Sequence, residues 1–145
     1  MTNRAILEAL LARVLEGTGP DRELDAEIAR ALGWKPLYRD DYSKWWPPSA
    51  VADARERKRS ILHHPTQPLP MFTQSLDAVM TLPPEGYWWQ IANGNRRHYD
   101  LQAGAELFFA GGPNRGDMAF SADAATPARA LMAACLKARM EAQGD

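Results

Sequence analysis

Apolar residues recur at helical spacing from the start of the chain. Ile6, Leu7, Leu10, Leu11, Val14 and Leu15 make one broad apolar face, the periodicity of an amphipathic helix packed on a core. Gly17 and Gly19-Pro20 end it, since glycine accepts the left-handed turn that follows a helix. The stretch "PDRELDAEIARALGW" predicts a second helix, with Asp21 as N-cap, Leu24, Ile28 and Leu32 as its stripe and Gly33 as its stop. A connection this short makes the two helices antiparallel neighbours.

From Trp34 to Pro70 the periodicity lapses. "WKPLYRDDYSKWWPPS" and "HHPTQPLP" are rich in proline and aromatics, and between them "SAVADARERKRSIL" predicts a helix capped by Ser49. An irregular stretch of this length is unusual in a compact domain. It is expected to be an insertion, at about 35–70, that packs on the domain through its aromatics. Ser75 then caps a short helix, "LDAVM", and "LPPEG" turns the chain. "YWWQIA", an Asn93-Gly94 hairpin signal, "RRHYDL", "AELFFA" and "MAFS" predict three to four short antiparallel strands. Thr126-Pro127 opens a last helix, with Ala128, Leu131, Cys135 and Ala138 on one face. The expected class is α+β, with helices packed on a small antiparallel sheet.

Composition narrows the setting. At 145 residues the chain has the length of a single domain, and 46% hydrophobic content supports a true core rather than disorder. The net charge of −1 argues against a protein built to coat nucleic acid. A single cysteine, Cys135, allows neither an intrachain disulfide nor a cysteine-based zinc cluster. Charged residues interrupt the first apolar segment and no later run approaches a membrane span. A cytoplasmic location, with no membrane association, is the expectation.

Candidate chemistry is sparse. Asp25 and Asp77 each follow a leucine near a helix start. They would serve a carboxylate-dependent hydrolase if brought together, but first-turn acids are also favoured by the helix dipole alone. His63, His64 and His98 raise a metal site, yet adjacent side chains on an extended chain point opposite ways, and no metal or cofactor is expected. "GGPNRG" lacks the lysine and hydroxyl of a phosphate loop. No nucleophilic set can be assembled, so no catalytic residue is assigned.

Aromatic residues carry the remaining interest. Neighbours in a strand face opposite sides of the sheet, so Trp88 and Trp89 cannot both enter one layer. Both are core if helices cover the two faces, and one indole is an exposed anchor if they cover only one. Candidate binding residues are Trp45, Trp46, Trp89, Arg96, Arg97 and Tyr99, combining stacking surface with positive charge. They fit a host or phage protein partner, or a second copy of the chain. The alternative is a nucleotide or other small ligand held by Trp45, Trp46, Arg96 and Arg97.

Three segments together resemble the phage ABA sandwich domain family: "GPDRELDAEIARALG" (19–33), "FTQSLDAVMTLPPEGYWW" (72–89) and "AATPARALMAACLKAR" (124–139). The resemblance covers about a third of the chain. It implies an α-β-α layered fold and a phage or prophage setting in a bacterial host, and it carries no site residues. The segment from Lys35 to Pro70 looks longer and more basic than the family pattern. The functional expectation is a non-enzymatic accessory protein that acts by binding.

Overall fold

The first two helices form where their apolar periodicity places them, α1 at Asn3–Glu16 and α2 at Arg22–Ala31. Asp21 caps α2 as expected, in an extended conformation, its carboxylate accepting the Leu24 N–H at 2.9 Å. Gly33, at φ +101, closes the helix. Its left-handed conformation lets the Trp34 N–H reach back to the Ala29 carbonyl at 2.9 Å, a bond that a residue with a Cβ would make only under strain. The computed structural model describes residues 3–83, 85–93, 103–109 and 118–143.

A two-residue ribbon follows, β1 (Lys35–Pro36) paired antiparallel with β2 (Trp45–Trp46). Helix α3 spans Pro48–Glu56 rather than starting after Ser49 and running to Leu62. Pro48 is the reason for the earlier start, because its ring fixes the backbone angle a first helical residue needs. Lys58, at φ 52, ends any continuation, and Ser60 caps a separate 3₁₀ turn at Ile61–His63. Ser75 caps the short α4 (Leu76–Val79), as its spacing predicts.

The sheet is a meander of β3 (Tyr87–Asn93), β4 (Ala103–Phe109) and β5 (Met118–Ala124), in that spatial order and antiparallel throughout. β3 pairs directly with β4, Trp89 opposite Leu107 and Asn93 opposite Ala103. The expected strand "RRHYDL" and the loop "GGPNRGD" lie outside the described residues. "MAFS" extends further than expected, through Ala124.

Helix α5 (Pro127–Gln143) is the centre of the fold. Thr126 caps it, accepting the Arg129 N–H at 3.2 Å. A single apolar stripe was the expectation; instead residues 128 to 136 are all buried. The helix lies between the sheet and α1 and touches both, so it has apolar neighbours nearly all round. Its many alanines let those layers approach closely.

The architecture is α+β, as the order of elements predicts. Among the described residues the helices stand on one face of the sheet, toward which Trp89, Ile91, Ala105, Leu107, Ala122 and Ala124 turn. A helical cover on both faces, which the family resemblance implies, is not what these residues show.

Candidate functional site: the outer face of the sheet

Side-chain alternation along the strands sorts every residue of the meander to one of two faces. The inner face is apolar and packs on α5. The outer face carries Trp88 and Gln90 from β3, Glu106 and Phe108 from β4, and Ser121 and Asp123 from β5. Trp88 is 44% exposed, and Gln90, Ser121 and Asp123 are exposed as well.

Trp88 lies directly opposite Phe108, and the rings stack at 4.0 Å between centroids with 8° between planes. One step along, Gln90 donates from Nε2 to Glu106 Oε2 at 3.0 Å. Gly104 lies opposite Asp123 on the next pair of strands. A methyl group at Gly104 would come within 3.0 Å of the Asp123 carboxylate, so a side chain there would crowd that acid. The result is a pre-stacked aromatic pair beside two carboxylates, on a rigid three-stranded platform. A register irregularity between Leu107 and Phe108 adds local twist at the aromatic end.

The residues singled out from sequence are distributed differently. Trp45 and Trp46 are not an exposed anchor: they are 0% and 3% accessible. The Trp45 indole N–H donates to the Asp41 carbonyl at 2.8 Å, and its backbone exchanges two 2.8 Å hydrogen bonds with Gln67. Arg30 lies over its ring, 5.4 Å from the centroid. The Trp46 indole N–H donates to the His64 carbonyl at 2.9 Å. With the indole donors satisfied and one side chain on each side of the ribbon, both can be buried at little polar cost. The Lys35–Pro70 excursion is thereby anchored on the fold through these two aromatics, as expected, while Tyr38 and Leu62 stay exposed; the expectation that Trp45 and Trp46 are binding residues is corrected.

Trp89 is half-buried and packs against the core, so it is Trp88 that faces outward. Arg96, Arg97 and Tyr99 lie outside the described residues. Trp88 was nonetheless findable. Gln90, two residues on, shares its side of the strand, and Glu106 marks the same side of β4; polar neighbours of the same parity identify the solvent face.

The acid/base candidates are separated by their environments. Asp25 is wholly buried and serves α2: it accepts the Thr73 N–H at 2.8 Å and pairs with Arg22 at 2.9 Å. Burial pushes its pKa up, against the hydrogen bonds from Thr73 and Arg22, which hold it down. Asp77 is exposed on α4. His64 faces Asp53 at 3.0 Å while His63 is exposed, and His98 lies outside the described residues. Among the described residues no three metal-binding side chains come together, and no helix is long and apolar enough to cross a membrane.

Comparison with protein-family models, with curated proteins and with solved structures returned no match to this chain.

Proposed function

We propose that this chain is a non-enzymatic accessory protein of phage or prophage type that binds a protein partner through the outer face of its sheet. The observation that carries this is the Trp88–Phe108 stack, nearly half of its tryptophan open to solvent on a face that no described helix covers. Large aromatic side chains in exposed, rigid positions supply contact area at small entropic cost and are enriched among residues that dominate binding energy. The phage setting rests on the three segments at 19–33, 72–89 and 124–139 and on their order.

The charge of the face selects the partner. Glu106, next to Phe108 on this face of β4, and Asp123, farther along opposite Gly104, lie on one side of the aromatic pair, and no lysine or arginine stands among the outer residues named above. A partner that offers arginine or lysine satisfies the carboxylates and places a cation over the ring. A second copy of the same face would instead bring like charges together, so a different protein is favoured over self-association. Nucleotide stacking on Trp45 and Trp46 is not favoured, because both indoles are inside the fold.

A photo-crosslinking residue at Ser121, expressed in the host cell, tests this. One basic protein should be captured by the parent chain and lost from a Trp88→Ala/Phe108→Ala variant. Reversing charge with Glu106→Lys and Asp123→Lys should weaken the same capture. Unchanged capture by the alanine pair sinks the proposal, and so does stronger capture by the lysine pair. Flanking genes without phage character would remove the phage setting and leave the surface to be judged separately.

A further inference from the structure

A groove of about 530 Å³ opens on the helical side of the molecule, and none of its lining residues belongs to the sheet. Asn3, Ile6, Leu7 and Leu10 line it from α1, spaced three and four apart and so on one helix face. Ala31 contributes from α2, with Arg30 beside it, and Arg139 from α5. Leu7 and Leu10 are core residues, so the floor is apolar, whereas Ile6 at the side is partly open to solvent. The volume falls inside the roughly 300–1,000 Å³ of small-ligand sites.

The charged groups at this groove are unbalanced. Three arginines, Arg13, Arg30 and Arg139, face one glutamate, Glu27. Arg13 and Glu27 form an ion pair, which leaves Arg30 and Arg139 without a carboxylate partner among the described residues. Both are exposed. On a chain of net charge −1, two guanidiniums without a carboxylate partner among the described residues stand beside an apolar floor as a local excess of positive charge. Arg30 is held by its contact over the buried Trp45 ring, so part of its ordering cost is met before any ligand arrives.

We propose that this groove binds a single-tailed amphiphilic anion, with an aliphatic tail along Ile6, Leu10 and Ala31 and a carboxylate head between Arg30 and Arg139. The lining explains the choice of tail. It contains no aromatic ring, and the Trp45 ring lies buried beneath Arg30, so a flat base or nucleotide has nothing to stack on. Guanidinium groups recognise planar carboxylates through paired hydrogen bonds, which a neutral or cationic head cannot accept in the same way.

Octanoate is the probe, titrated into the intact protein and followed by the backbone amide shifts of Ile6, Leu10 and Ala31. It should bind more tightly than 1-octanol by roughly tenfold, the effect of one hydrogen bond to a charged group. Acetate and octyltrimethylammonium should not saturate the site. Arg139→Gln should weaken octanoate by a similar factor. Ala9→Trp, at an exposed helix position lining the groove, should block it while the spectrum stays folded. Trp88→Ala/Phe108→Ala should leave octanoate binding unchanged, which separates this site from the sheet face. Equal binding of octanol or of the cation overturns the proposal. So does octanoate binding that survives Ala9→Trp, or the absence of shifts at the three groove amides.

Discussion

Arg129, in the first turn of α5, donates from Nη1 to the carbonyl of Val14 near the end of α1, at 3.1 Å. The same guanidinium also reaches the Arg13 carbonyl at 3.2 Å and, from Nε, the Gly19 carbonyl at 3.1 Å. Carbonyls at a helix C-terminus have no partner within the helix. Here one buried side chain from a distant part of the chain supplies several, tying α1, the α1–α2 turn and α5 into one unit.

Replacing Arg129 with alanine would strand the Val14 and Gly19 carbonyls and leave a cavity, while the Arg13 carbonyl keeps the Gly17 N–H at 3.2 Å. A loss of about 3 kcal/mol or more is expected, measured by urea denaturation. Gly17→Ala should also be costly, by about 1–3 kcal/mol, because a Cβ there would run into the pinned guanidinium. A Gly17→Ala protein as stable as the parent would show that Arg129 is not held as described.

Asp25 predicts an unusual acid profile. Its pKa is raised in the fold by burial, above an unfolded value of about 3.9. The folded state therefore holds the proton more tightly. The resulting stabilisation is complete below the unfolded pKa and is lost as pH rises through the folded one. Against an Asp25→Asn protein, the melting-temperature advantage of the parent should shrink between acid and neutral pH. An advantage that grows toward neutrality would mean that Arg22 and Thr73, not burial, dominate at this carboxylate.

Trp45 and Trp46 are core residues in spite of their setting between polar loops. Trp45→Ala should cost about 3–5 kcal/mol, the usual loss for a large buried aromatic. Native tryptophan emission should also lose a component shielded from acrylamide. A variant within ~0.5 kcal/mol of the parent, the range of a surface change, would return the excursion to the solvent side.

Cys135 should be inert in the native protein. It is buried, and desolvation pushes its thiol pKa up to about 12, while Arg139 pulls only weakly the other way. The thiolate is the reactive form. A disulfide reagent at pH 8 should therefore modify it only after denaturant is added; fast native labelling would contradict the packing of α5.

The chain's own pattern determined most of the local structure. The stripe Leu24–Ile28–Leu32, the caps Asp21, Ser75 and Thr126 and the stop at Gly33 stand where spacing placed them, whereas the broad face read for α1 narrows to Leu7, Leu10 and Val14, with Ile6 and Leu15 exposed. These features depend on interactions within a few residues, and such interactions are written in local order. Tertiary structure decided which faces were covered. Trp45 and Trp46 lie in a proline-rich stretch that resembles a loop, and only packing against Arg30, Gln67 and His64 shows that they are interior. Trp88 and Trp89 differ by one residue, so their fates follow from strand register. That register was set by the distant partners Phe108 and Leu107 and by the position of α5. The groove is later still, since its walls come from three helices and its charge balance exists only once Arg13 has met Glu27. Local periodicity encodes an element's type, whereas exposure is a property of what arrives on its other side.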